Sequence, residues 1–158
     1  MNEGIPYLRV VNRPAFILTG ILQPGTMRDG SMEQLWKRWS STLALMRTMQ
    51  PGHFYGAIDN IHAQTGAFDY MAAVATDSLL PIPSCFTRWS IPAKTYAIFT
   101  TSLRSYEDTR NNFYDSWLPL SGYCRAHGPE IEHLGPDFEE ESGGPLDIWI
   151  PVNRTKSN

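Results

Sequence analysis

The sequence predicts an α+β fold, an antiparallel sheet with its helices on one side, on three observations. A strand, helix, strand, strand order occurs twice along the chain. Trp89-Ser90-Ile91-Pro92-Ala93 ahead of Lys94–Thr101 echoes Arg13-Pro14-Ala15 ahead of Phe16–Ile21. Each such unit, at about 75 residues, is too small for a robust core of its own, so the two sheets should associate and leave the side without helices to face a ligand.

Residues 7–22 are rich in β-branched and aromatic side chains and run into the turn Gln23-Pro24-Gly25, which reads as one long strand or two short ones. Ser31-Met32-Glu33-Gln34 has capping-box spacing. Met32, Leu35, Trp36, Trp39, Leu43 and Met46 then recur at steps of three and four before Pro51-Gly52, the pattern of an amphipathic helix. Strand-like runs follow at His53–Ile58 and Phe68–Thr76. In the second half, Lys94–Thr101 reads as a strand and Tyr106–Leu118 as a helix stopped by Pro119 and Gly122. Two closing strands, Pro136–Glu141 and Leu146–Pro151, are expected to flank the turn Ser142-Gly143-Gly144-Pro145, with a frayed polar tail from Asn153.

Composition narrows the function classes. No apolar run approaches the ~20 residues of a membrane span, and the start, Met1-Asn2-Glu3-Gly4-Ile5-Pro6, lacks the basic and apolar regions of a signal peptide. The expected location is therefore cytoplasmic. A net charge of −3 with singly scattered basic residues argues against direct nucleic-acid binding, which needs clustered Lys and Arg. Cys85 and Cys124 have no redox or metal spacing and are expected to be reduced core thiols. Cys124, His127 and His133 match no common zinc pattern and lack a fourth ligand, so neither a metal nor a cofactor is expected.

Candidate site residues come from strand alternation. In Leu146-Asp147-Ile148-Trp149-Ile150, Ile148 and Ile150 share one face while Asp147 and Trp149 share the other. If the isoleucines meet the helices, the carboxylate and the indole look toward the ligand. In the preceding expected strand, Phe138 and Glu140 separate from Glu139 and Glu141, which places Glu139 beside Asp147 and Trp149. A carboxylate with aromatic walls suits a cation, with cation–π attraction of about 2 kcal/mol when desolvated. The three glutamates equally fit a solvated acidic turn. Trp36, Trp39 and Trp117 lie at helical spacings on apolar faces and are read as structural.

Three stretches carry a resemblance over nearly the whole chain. They are Ile91-Pro92-Ala93-Lys94-Thr95-Tyr96-Ala97-Ile98-Phe99, then Phe113-Tyr114-Asp115-Ser116-Trp117-Leu118-Pro119-Leu120-Ser121-Gly122-Tyr123, and Pro136-Asp137-Phe138-Glu139 with Asp147-Ile148-Trp149-Ile150-Pro151-Val152. The sequence resembles the GyrI-like, or AraC-type effector-binding, family of multidrug-regulator ligand-binding domains. The resemblance implies two fused βαββ modules with pseudo-two-fold symmetry around a central pocket, repeated over about 5–80 and 85–152 within one domain spanning 1–158. It implies that the glutamate matching Glu139 is the principal acidic ligand for cationic drugs. Asp147 stands where glutamate is usual, and Trp149 where tyrosine is usual.

Further wall positions implied by the family are Tyr55, Tyr70 and Ala72, with Trp89 closing the pocket or capping the core. The internal repeat, at an offset of 78, instead aligns Asp69 with Asp147, and a one-residue slip would exchange the two faces. The family pattern is followed here, and Tyr70 is expected to face the ligand.

The leading expectation is a stand-alone binding module for a cationic or aromatic small molecule, without a DNA-binding module. Some members of the resembling family hydrolyse strained cyclopropane-containing genotoxins, and for that alternative Glu139 and Tyr70 would activate water. The family also includes a DNA gyrase inhibitor, so a protein partner, gyrase or a transcription regulator, is a third reading.

Overall fold

The computed structural model describes residues 5–26, 31–46, 49–77 and 81–156. In chain order the elements are β1 (Arg9–Arg13), β2 (Phe16–Thr26), α1 (Ser31–Leu45), β3 (Phe54–Asp59), β4 (Ala67–Thr76), β5 (Thr87–Ile91), β6 (Lys94–Thr101), α2 (Tyr106–Asn112), β7 (Tyr123–Arg125), β8 (Glu130–Leu134) and β9 (Leu146–Arg154). Between α2 and β7 the chain makes a π-helical turn, Phe113–Trp117, and a 3-10 turn, Leu118–Leu120. Pro14 breaks the β-rich run from residue 7 to 22 into β1 and β2, because it cannot donate to a ladder. The tight turn that Pro119 enforces ends at Gly122, whose φ of 80° only glycine adopts without strain.

The chain divides into two compact units. Unit 1 comprises Met1–Arg13 with Lys94–Asn158, and unit 2 comprises Pro14–Ala93. The unit boundaries fall between Arg13 and Pro14 and between Ala93 and Lys94. The edge strand β1 leaves its own half and pairs antiparallel with β6, while β5 pairs with β2.

Within unit 1 the strand order is β1-β6-β9-β8, all antiparallel, with β7 pairing the far end of β9. Alternation along β9 sends Leu146, Ile148, Ile150 and Val152 to one face. There they pack with Ala97 and Phe99 of β6 and with Tyr106 and Phe113 of α2 and the turn after it. Phe113 is fully buried, stacked between Phe99 and Trp117 at 5.2 Å from each, so Trp117 is structural as expected. Each such buried side chain contributes about 1.5–3 kcal/mol by area.

Within unit 2 the order is β3-β4-β2-β5, again antiparallel. On α1, the predicted stripe holds. Leu35 and Leu43 are buried against Ile21, Phe68, Tyr70, Ala72 and Val74, with Met32, Trp36, Trp39 and Met46 packed around them. The Ser31 side chain, expected to cap this helix, lies outside the described residues. Gly20, in the middle of β2, is required by close approach, since a Cβ there would collide with the carbonyl oxygen of Ala72.

Three expectations fail here. The strand before β9 is Glu130–Leu134, and residues 136–141 form a turn carrying only an isolated bridge between Glu139 and Gly144. Gly135 and Pro136 end the ladder before the glutamates are reached. The helix from Tyr106 tightens and loosens through π and 3-10 turns after Asn112 instead of running regularly to Leu118. Cys85 and Cys124 are free but exposed, one in a loop and one on the three-residue edge strand β7, so neither is a core thiol.

Candidate functional site

Each unit's sheet has a helix face and a far face, and register assigns every candidate to one of them. In unit 1, Ile148 and Ile150 pack on the helix face, so Asp147 and Trp149 lie on the far face, as alternation predicts. Across the ladders the far face adds Ile131 and His133, opposite Trp149 and Asp147 on β8, and Thr100, Ile98 and Tyr96 on β6. Beyond β6, the same rule adds Arg9, Val11 and Arg13 of β1.

Trp149 is the centre of this face. It is 7% exposed, with Tyr96 packed edge-on at 5.6 Å and His133 at 5.9 Å. The Arg13 guanidinium carbon lies 5.0 Å from the ring centroid, within cation–π range. Asp147 accepts a 2.7 Å hydrogen bond from Thr100 Oγ1 and pairs with Arg9 Nη2 at 3.5 Å.

Tyr96 is fully buried, and its hydroxyl has no hydrogen-bond partner among the described residues. Burial pushes this phenol up to about 12, with Arg125 opposing the shift. The face thus combines an aromatic wall, a carboxylate and an unpaired buried hydroxyl. That set can hold a flat or cationic organic molecule.

Sequence reasoning missed Arg9, Arg13, Tyr96 and His133. The signal for the two arginines was present, since they alternate in phase along Arg9-Val10-Val11-Asn12-Arg13. It needed the knowledge that β1 pairs with β6.

In unit 2, Tyr55 faces the same way as Ala73 and Met71, on the far face, where it is buried and packs 6.3 Å from Phe16. Its hydroxyl donates to Gln50 Oε1. Trp89 lies inside β5, opposite Leu18, rather than ahead of a strand. Tyr70 and Ala72 do not join this face. Both are buried on the helix face, where Trp36 Nε1 donates to Tyr70 Oη at 2.9 Å. The offset of 78 pairs Tyr70 with Ile148, and that register decides the face.

Glu139 and Glu141, expected beside Asp147 and Trp149, are exposed in the turn, with the Glu139 amide and carbonyl bonded to Gly144 and Gly143. The pair expected for the hydrolytic alternative, Glu139 and Tyr70, comprises one exposed carboxylate and one phenol already engaged by a helix tryptophan.

Among the described residues the buried carboxylates are Glu130 and Glu132 of β8, both on the helix face. Glu130, 1% exposed, receives two 2.9 Å hydrogen bonds from Arg110 and one of 2.7 Å from Tyr114 Oη. Arg125 donates to Tyr114 Oη at 3.0 Å and to the carbonyls of Ala126 and Gly128. Burial works against the Arg110 charge, but Glu130 outweighs it and holds the guanidinium above its ordinary range. Burial and the neighbouring carboxylate both push the Tyr114 phenol up. A bidentate, fully satisfied network of this kind holds α2 to the sheet and offers no free group to a ligand. Among the described residues, no group of His, Cys, Asp and Glu is arranged to hold a metal ion.

Residues 9–152 match the family described as integron-associated effector binding protein, Cass2. The chain belongs to this Cass2 effector-binding family. Its curated relatives extend the match toward GyrI-like proteins. The transcriptional regulator BrlR of Pseudomonas aeruginosa is 28% identical over 158 positions, covering 92% of this chain and 55% of BrlR. The chain thus spans about half the length of that relative. A DNA gyrase inhibitor of Erwinia billingiae is 32% identical over 108 positions, covering 66% of this chain and 70% of the inhibitor.

Solved structures share the fold of this Cass2 member. The integron cassette protein VCH_CASS2 of Vibrio cholerae superposes with a TM-score of 0.66 at 19% identity, over 92% of this chain and 95% of that one. SAV2435, solved bound to tetraphenylphosphonium, gives 0.72 at 18% identity over 92% and 93% of the two chains. At those identities the likeness is one of fold, an α+β antiparallel architecture. No helix among the described residues is long and apolar enough to cross a membrane.

Proposed function

We propose that this Cass2-family protein binds a cationic, aromatic small molecule on the far face of unit 1, with Asp147 as the charge partner and Trp149 as the aromatic wall. The observation that carries the reading is the pairing of these two side chains on one face of β9, with Tyr96 packed against the indole and its buried hydroxyl unpaired. Buried polar atoms are normally satisfied, and an orphan beside an aromatic wall is what a ligand's polar group would complete. Cation–π attraction supplies about 2 kcal/mol once water is excluded, and the carboxylate adds charge pairing. Capture of tetraphenylphosphonium by the fold relative SAV2435 supports the same ligand class. Tyr55 and Trp89 lie on the far face of unit 2 and are aromatic candidates for a ligand on that unit by itself.

Thermal unfolding against tetraphenylphosphonium and its neutral analogue triphenylphosphine oxide tests the reading. A ligand at 100 times its Kd adds about 2.7 kcal/mol of stability. The cation is expected to stabilise the wild type, with the effect reduced in Asp147→Asn and in Trp149→Leu and unchanged in Glu139→Gln, whose carboxylate is exposed. A flat response of the folded wild type to both compounds would overturn the proposal. Loss of the effect in Glu139→Gln alone would move the site to the turn at 136–141.

A further inference from the structure

We infer that β1 carries a built-in competitor for this site. The Arg13 guanidinium occupies the face of Trp149 that an incoming cation would take, and ligand binding displaces it. The inference rests on the reading of Asp147 and Trp149 as ligand groups and adds what decides which cations succeed.

Both elements of cation recognition on this face are already engaged by arginines of one strand. Arg9 and Arg13, four residues apart, project to the same side of β1, across β6 from Asp147 and Trp149. Arg9 pairs with Asp147 at 3.5 Å, and its side chain is 43% exposed, so water screens that pair and it yields readily. Arg13 stacks at 5.0 Å over an indole that is only 7% exposed.

What holds Arg13 is the ring and not an acceptor. Its Nε is buried with no hydrogen-bond partner among the described residues. Arg110 and Arg125, on the opposite face of the same sheet, contrast with it, being anchored through Glu130, Tyr114 and two carbonyls. A guanidinium with an orphaned buried donor gains hydrogen bonds when it swings into water. Arg13 is therefore held less firmly than Arg110 and Arg125, which acceptors anchor.

A selectivity rule follows. A small cation that only replaces the guanidinium exchanges one cation–π contact for another and gains little. A large lipophilic cation brings apolar area that Arg13 lacks, at about 25 cal/mol per Å² buried. Arg13 thus screens out small hydrophilic cations, which abound in any cell, and admits bulky aromatic ones.

The test is calorimetric titration of tetraphenylphosphonium and of tetramethylammonium into the wild type, Arg13→Ala, Arg13→Lys, Trp149→Leu and the double variant Arg13→Ala with Trp149→Leu. Melting curves without ligand identify variants that have not folded. Removal of the competitor should tighten tetraphenylphosphonium about five- to thirtyfold, the size of one cation–π contact, and raise tetramethylammonium from undetectable to measurable. Arg13→Lys, which keeps the charge but not the planar stack, should fall between. The gain should disappear in the Trp149→Leu background.

Equal or weaker binding by Arg13→Ala while the wild type binds overturns the competitor and leaves the site intact. A gain that persists without Trp149 overturns it too, as simple relief of charge repulsion. Absence of binding in every folded variant overturns the ligand site itself, and the competitor with it.

Discussion

β4 and β9 stand 78 positions apart in sequence and hold matching places in their own units, yet they present different chemistry. Tyr70 and Ile148 are both buried on the helix face, and Asp69 and Asp147 both lie on the far face. Beside the aspartates, unit 2 has the buried Met71 where unit 1 has Trp149. The Asp69 carboxylate takes a 2.8 Å hydrogen bond from the Asn60 amide, while Asp147 pairs with an arginine. Register fixes which way a side chain points, and nothing in it fixes what that side chain is. The same scaffold therefore sets a methionine beside the aspartate in one unit and a tryptophan beside it in the other.

The helix faces differ as sharply, and breaking that difference gives the largest expected effect. Unit 1 buries Glu130 under two arginines and a tyrosine, whereas the buried polar residue of unit 2 among the described residues is Thr19. Glu130→Ala leaves Arg110 and Arg125 without their carboxylate. A loss of about 3–5 kcal/mol is expected in urea unfolding, the range for breaking one side of a buried ion pair. A loss under about 1 kcal/mol would mean that water replaces the carboxylate and that α2 is held by Phe113 and its aromatic neighbours alone.

On the helix face of unit 2 the corresponding polar contact is neutral, so its removal should matter less. Tyr70→Phe deletes the acceptor of the Trp36 Nε1–H and should cost about 1 kcal/mol. Ligand affinity is expected to stay unchanged, because Tyr70 lies on the helix face. A Tyr70→Phe protein of wild-type stability that fails to bind tetraphenylphosphonium would return Tyr70 to the site.

Much of this was legible in the sequence where one rule acted alone. The apolar stripe of α1, the strand at Lys94–Thr101 and the split of Ile148 and Ile150 from Asp147 and Trp149 all follow from periodicity. The family pattern puts Tyr70 toward the ligand, whereas the internal repeat, which holds the register, puts it on the helix face. Glu139 lies outside the ladder because Gly135-Pro136, just ahead of the three consecutive glutamates, ends the strand. Glu130 and Arg110 were unreadable for another reason. They are 20 residues apart and meet only because β8 lies under α2, which is a tertiary fact. Arg13 was hidden because β1 pairs with β6, far along the chain, and not with the strand that follows it, which no local pattern announces.

Tyr96 offers the smallest effect at neutral pH and the cleanest contrast between the units, since the position 78 residues earlier holds the equally buried Leu18. Unit 1 places a phenol where unit 2 places an alkyl chain. Its hydroxyl has no partner among the described residues, so Tyr96→Phe should leave stability near neutral pH almost unchanged. Alkaline solution separates the two proteins. The Tyr96 phenol is raised from 10.0 to about 12 by burial, so between those values the unfolded chain gives up a proton that the folded chain keeps. Stability that is fully present below pH 10 is then lost as the pH rises toward 12, at up to about 1.4 kcal/mol per pH unit. Tyr114 contributes in the same direction to both proteins, so it cancels in the difference. Urea unfolding at a series of alkaline pH values should therefore show the wild type falling away from Tyr96→Phe above pH 10. Parallel curves would mean that the hydroxyl already reaches water on the far face, and that the aromatic wall around Trp149 is open before any ligand arrives.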